Sequence, residues 1–240
     1  ALDFARREAA KEAVRIAAIR LASRGIPVAP LKGALVATRF LGPDLPRPLT
    51  DVDLLVPSER FDEARSLLLE GGGAIADRDR DDRTATLRVP WCAMSIDLHR
   101  RLFPKFLFRE DPRLLLARAS PDTELFGARV LLLHPHDAIA HALGHHAMGR
   151  PLVPRSRLAG DLVAIGREVR DPALLHHDLR RMGLERGVLF AALDLEETPI
   201  PWLREVAALT HTGPVALLSA RLALALARRD ASETRGGGAL

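Results

Sequence analysis

Three prolines in seven residues, Gly42-Pro43-Asp44-Leu45-Pro46-Arg47-Pro48, run directly into Leu49-Thr50-Asp51-Val52-Asp53-Leu54-Leu55-Val56. The first segment has to be a loop, because each proline removes an amide donor and fixes φ. The second alternates and then turns apolar, and Pro57-Ser58 closes it and opens a helix over Glu59 to Glu70, which reads as a strand feeding a helix. Residues two apart on a strand share a face, so Asp51 and Asp53 project side by side, roughly 6.6 Å apart at the backbone, while Val52 points into the core. Two parallel carboxylates repel each other. Divalent cations relieve that repulsion, and magnesium takes one or two carboxylates while leaving positions for phosphate oxygens and water. Taken alone, an Asp-x-Asp pair can equally be the start of a strand after a proline loop.

The rest of the chain supplies a frame for that strand. Ala10, Val14, Ala17 and Leu21 recur at helical spacing between Phe4 and Arg24, with Gly25 as a stop; Ile16 and Ile19 lie off the stripe. Pro27 to Leu31 reads as a short strand running into Lys32-Gly33, after which Ala34 to Leu41 is helical. Beyond Gly71-Gly72-Gly73, the stretch Asp77 to Arg83 reads as a surface turn, and Thr84 to Val89 and Ala93 to Leu98 as two strands around Pro90-Trp91. From there the pattern becomes helical: Asp111 to Ala119, His136 to Met148, Arg155 to Glu168, Pro172 to Met182, Glu185 to Leu193, Trp202 to Leu209 and Val215 to Arg229, with a short apolar segment at Arg129 to Leu133. The change of character puts a domain boundary near Gly127, giving domains over 1–127 and 128–231 and a glycine-rich mobile tail over 232–240.

With 240 residues, nearly half apolar, the chain can bury a substantial core. The single cysteine, Cys92, excludes an internal disulfide and a cysteine-rich zinc site and fits a reducing compartment, with the cytoplasm as the simplest location. No apolar run is long enough to cross a membrane, and the N-terminal segment has no signal-peptide pattern. The formal charge of +4 permits a polyanionic partner without requiring one, and only three of the basic residues are lysine.

A third carboxylate, Asp97, lies in the alternating segment Ser95-Ile96-Asp97-Leu98-His99, so a neighbouring strand can bring it beside the pair. Three carboxylates on adjacent strands can hold two metal ions, one positioning a triphosphate and one lowering the pKa of an attacking hydroxyl. The order Leu31-Lys32-Gly33-Ala34, Arg47, Asp51-Val52-Asp53-Leu54-Leu55-Val56, Ile96-Asp97-Leu98-His99, His141-Ala142-Leu143 with His145, and Leu158-Ala159-Gly160-Asp161-Leu162 resembles the uncharacterised nucleotidyltransferase family. The resemblance spans most of the chain. It implies an α+β fold, with a mixed sheet like that of DNA polymerase beta and flanking helices, followed by an all-helical domain that covers the cleft and selects the acceptor. It implies a magnesium-dependent enzyme with two Mg2+ ions on Asp51, Asp53 and Asp97, ATP or another NTP as co-substrate, and an acceptor that is a small molecule, a peptide or protein, or an RNA end. Lys32, Gly33, Ala34 and Arg47 would bind the nucleotide phosphates. The wider superfamily usually has Gly-Gly-Ser or Gly-Ser at this turn; here the hydroxyl is missing, and a backbone amide and the Lys32 charge can stand in for it.

Two other features compete for a function. His134, His136, His141, His145 and His146 form a cluster in which His141 and His145 share a helix face, yet the glutamate of a zinc-protease helix is missing, and the His136-Asp137 pair has no matching phosphohydrolase set. Arg150, Arg155, Arg157, Arg180 and Arg181 could form a nucleic-acid surface but read more simply as solvated helix faces. A catalytically silent nucleotide- or nucleic-acid-binding module on the same fold is the alternative to the enzyme.

Overall fold

The computed structural model describes residues 2–42, 45, 47–79, 82–104, 107–148 and 155–210. Helix α1 (Leu2–Ala22) buries Ala10, Ala13, Val14, Ala17, Ala18 and Leu21, a stripe of mostly small side chains. Its end is closed by Gly25 at φ +65°, with the Gly25 amide donating to Ala22 O at 2.9 Å and the Ile26 amide to Leu21 O at 3.0 Å. That paired closure requires a left-handed residue, which glycine adopts without a steric penalty.

Strand β1 (Ala29–Pro30) leads through a tight turn into α2 (Lys32–Leu35), which widens into a π turn over Val36–Phe40. Then follow β2 (Asp51–Leu55), a 3-10 turn over Ser58–Arg60, α3 (Phe61–Leu69), β3 (Ala74–Arg78), β4 (Thr84–Arg88) and β5 (Ser95–His99). These strands form one mixed sheet in the order β1-β2-β5-β4-β3. Only β2 and β5 are parallel; β1 with β2, β4 with β5 and β3 with β4 are antiparallel. One face of the sheet is apolar: Val52, Leu54, Ala85, Leu87, Ile96 and Leu98 are fully buried in a core shared with α1 and with Phe61, Ala64 and Leu68 of α3. Period-two alternation therefore leaves Asp51, Asp53, Thr84, Thr86, Asp97 and His99 on the opposite face.

Two segments differ from the sequence reading. Ala74–Arg78 is an edge strand with all five residues exposed and a register shift between Ile75 and Asp77; with neither face covered it carries no apolar alternation, and the bulge suits an edge. Arg83, expected on a surface turn, is buried, donates to Leu102 O at 3.0 Å and pairs with Asp79. After β5 come α4 (Pro112–Arg118), β6 (Ser120–Asp122) and β7 (Val130–Leu132), the last two forming a small antiparallel ribbon. The Leu131 amide donates to Val28 O at 2.8 Å, tying this ribbon to the approach to β1.

Helix α5 (Pro135–Ala147) follows, then α6 (Arg155–Gly166), α7 (Pro172–Arg181), α8 (Glu185–Asp194) and α9 (Pro201–Leu209). The chain divides into two compact units, the first ending at Ala138 and the second beginning at Ile139. Within the second, α7, α8 and α9 pack on one another around Leu175, Leu179, Val188, Leu203 and Val206. Asp171 caps α7 by accepting from the Ala173 and Leu174 amides. Arg150, the helix expected at Val215 to Arg229 and the tail over 232–240 lie outside the described residues.

Candidate active site

The parallel pairing of β2 with β5 puts Asp53 directly opposite Asp97, with Asp51 opposite Ser95 and Leu55 opposite His99. The three aspartates share the face that α1 and α3 leave free. Asp53 is 3% exposed, and its Oδ1 accepts from Lys32 Nζ at 2.6 Å and from His99 Nε2 at 2.9 Å. Strand β4 supplies a third row: Thr86 lies opposite Asp97 and donates its hydroxyl to Oδ1 at 2.7 Å, and Thr84 lies opposite His99, 3.0 Å from Nδ1.

The electrostatics follow from this packing. Burial by itself would push the Asp53 carboxyl up, but the Lys32 charge and the His99 hydrogen bond hold it well below the usual carboxylate range. An ionised carboxylate only accepts, so His99 Nε2 carries a proton, and in the neutral ring Nδ1 is left to accept from Thr84. Asp51 moves the other way: burial raises its pKa first, and repulsion from Asp53 and then Asp97 adds to it. A group of oxygens pushed apart in charge but held together by strand register is the environment in which a hard divalent cation is favoured. Oxygens of Asp53 and Asp97 and a ring nitrogen of His99 lie within 4.8 Å of one another; both His99 nitrogens are engaged, by Asp53 and by Thr84, so the carboxylate oxygens are the groups left to meet an ion. The donor set, mostly carboxylate, fits Mg2+ or Mn2+.

The turn between β1 and α2 faces the same cluster. The Leu31 amide donates to Asp53 O at 2.9 Å, which fixes the start of the turn against β2. Lys32 is at φ +38°, in the left-handed region that a lysine rarely adopts. A Cβ on Gly33 would lie 2.6 Å from both Arg47 Nη1 and Leu49 Cδ2, so the absence of a side chain there is what lets the Arg47 guanidinium lie against the turn. Ala34 is buried. The first-turn amides that follow Leu31 have no acceptor within the helix. Of the residues named from the sequence, Lys32, Asp51, Asp53 and Asp97 interact with one another, and Gly33 and Arg47 lie against each other at the turn. Thr84 and Thr86 were not read from the sequence, because only the register of β4 against β5 brings them to this face; His99 lies two residues after Asp97 on the same strand and so shares its face.

The histidine-rich segment holds no comparable donor set. His134 and His136 stack edge to face at 4.7 Å, His141 and His145 at 6.5 Å, and Arg118 reaches Asp137 at 3.5 Å. Among the described residues the Asp53, Asp97 and His99 group is the one with metal-ligand geometry. Of the arginines considered for nucleic acid, Arg155 pairs with Asp194 at 2.8 Å and Arg180 with Glu185 at 3.7 Å. No helix among the described residues is long and apolar enough to cross a membrane.

No functionally curated protein matches this chain. Among solved structures it is similar to the antibiotic-resistance factor ANT(2'')-Ia in solution, at 17% identity and a TM-score of 0.48, over 75% of this chain and 92% of that one. It is similar also to crystalline ANT(2'')-Ia in complex with adenylyl-2''-tobramycin, at 15% identity and a TM-score of 0.49, over 68% and 92% of the two chains. The sequence model of the uncharacterised nucleotidyltransferase family matches residues 3–197, a span that takes in every residue of the carboxylate cluster and the turn beside it, and the chain belongs to that family.

Proposed function

We propose that the chain moves a nucleoside monophosphate from an NTP to an acceptor hydroxyl, with Asp51, Asp53 and Asp97 holding Mg2+ and with Lys32, Gly33, Ala34 and Arg47 binding the nucleotide phosphates. The observation that carries this reading is the register of β2 against β5, which puts Asp53 opposite Asp97 with Asp51 on the same face. In the transfer, the acceptor oxygen bonds to the α-phosphorus, the bond from that phosphorus to the bridging oxygen breaks, and pyrophosphate leaves with the electron pair. Bound magnesium would supply charge neutralisation for the phosphates and lower the pKa of the acceptor hydroxyl. Asp97, whose Oδ1 accepts from Thr86, is the carboxylate that takes the acceptor's proton. Arg47, lying against Gly33, meets phosphate charge without entering the carboxylate cluster.

The sheet-bearing part of the chain carries this chemistry, and the helical part selects the acceptor. The acceptor class stays open between a small molecule, a peptide or protein hydroxyl and an RNA end, because a catalytic sheet of this kind is generic. The test is incubation of the full chain with Mg2+ and each α-labelled NTP in turn, presented with acceptor pools of those classes. Pyrophosphate release together with a labelled acceptor, both lost in Asp97→Asn, supports transfer. Magnesium-dependent binding of NTP with neither product in any pool supports the silent nucleotide-binding module instead.

A further inference from the structure

Asp53 Oδ1 already has two donors, Lys32 Nζ at 2.6 Å and His99 Nε2 at 2.9 Å, and a carboxylate oxygen has two lone pairs to offer. Only Oδ2 of Asp53 is left for a metal. The Lys32 ammonium therefore occupies a cation position on the carboxylate that two ions would have to share. The charges agree with this. Three aspartates and one lysine sum to −2, leaving the imidazole out of the count, and one divalent ion neutralises that; a second would leave +2 in a site where Asp53 and His99 are each 3% exposed.

The backbone of Lys32 bears on the same point. A lysine at φ +38° is strained, and such strain persists where the surroundings fix it. Here the Leu31 amide holds the turn to Asp53 O at 2.9 Å, while the side chain, 27% exposed, reaches Asp53 across 21 positions in sequence. The residue next to it, Gly33, is the one against which the Arg47 guanidinium rests. Lys32 thus stands between the inner carboxylate and the turn assigned to the phosphates.

The geometry points to Lys32 as a resident cation that makes the free protein a one-ion site and yields Asp53 Oδ1 to a second ion only when a triphosphate draws the ammonium away. This rests on the reading that Asp51, Asp53 and Asp97 hold divalent metal. It makes the second ion conditional on the nucleotide, a coupling that belongs to this chain's lysine.

The probe is Mn2+, counted by electron paramagnetic resonance on the full chain with and without the four α,β-methylene NTP analogues. The native chain should bind one Mn2+ tightly without nucleotide and two with the analogue that fits. Lys32→Gly adopts the positive φ freely and removes the ammonium; it should bind two ions without nucleotide, the second at least tenfold more tightly than in the native chain, and Lys32→Met should do the same. Two equivalent ions on the native chain without nucleotide, or a single ion on both variants, would overturn the inference while leaving the carboxylate site standing. Equal Mn2+ binding by the native chain and by Asp51→Asn/Asp53→Asn would overturn the metal reading beneath it.

Discussion

Asp53 is the residue on which the site turns, and its surroundings explain why so few substitutions there would be silent. It is fully enclosed, ionised, and held by one lysine and one histidine on the same oxygen. Removing either donor leaves a buried charge short of a partner, a change that costs several kcal/mol in comparable settings. Gly33 is different, because what it provides is room. In Gly33→Ala the new methyl meets the end of Arg47, which is flexible, and the tip of the buried Leu49. The expected result is about a tenfold weaker NTP affinity, equivalent to about 1.4 kcal/mol, with a loss of global stability of about 1–3 kcal/mol. Nucleotide titration and chemical denaturation of the same variant separate the two; an unchanged affinity would remove Arg47 from the phosphate site.

At the level of elements, the connection from β5 to α4 closes over Glu110, whose carboxylate accepts from the Leu102 amide at 2.8 Å and the Phe103 amide at 2.9 Å. Burial raises its pKa to about 7 despite those bonds. Because the folded value lies above the unfolded one, the native state holds a proton that the unfolded chain releases between about pH 4.5 and 7. The contribution of Glu110 to stability is full below that window and is lost as the pH rises through it, with a slope of at most about 1.4 kcal/mol per pH unit. Urea denaturation from pH 5 to pH 8 should therefore give a difference between the native chain and Glu110→Gln that shifts in favour of the variant as pH rises; a pH-independent difference would contradict the assignment. The elements also mark what the sequence could disclose. The strand at Asp51 was legible from its short apolar run between a proline loop and Pro57, and the helices at Pro172 and Glu185 from their periodicity and the capping aspartate and glycine that bound them. The edge strand at Ala74 buries neither face, so no periodicity betrayed it, and the burial of Arg83 depends on a carbonyl 19 residues away.

On the scale of the whole molecule, the chain has one unit organised by a sheet and a second organised by helices, and each has a tight spot of its own. In the second it is Gly166, where a Cβ would run into Trp202 Nε1. Gly166→Ala has to displace a buried indole, and a loss of about 1–3 kcal/mol is expected. Hydrogen exchange should show the lost protection in α6 and α9, with β2 and β5 keeping theirs; equal loss in the sheet would mean that the two units unfold as one. The grouping of the three aspartates on one sheet face, by contrast, was readable. Asp51, Asp53 and Asp97 announce themselves by type and spacing, and His99 by its place two residues after Asp97, whereas Thr84 and Thr86 become visible only once the β4-β5 register is known.

The most direct test of the central claim is calorimetry of NTP binding with and without Mg2+, each nucleotide in turn, on the native chain and on Asp51→Asn/Asp53→Asn. Binding that requires Mg2+ and disappears in the double variant is the predicted result. Equal binding by both chains, or binding that ignores Mg2+, would contradict the assignment of these carboxylates as the metal site.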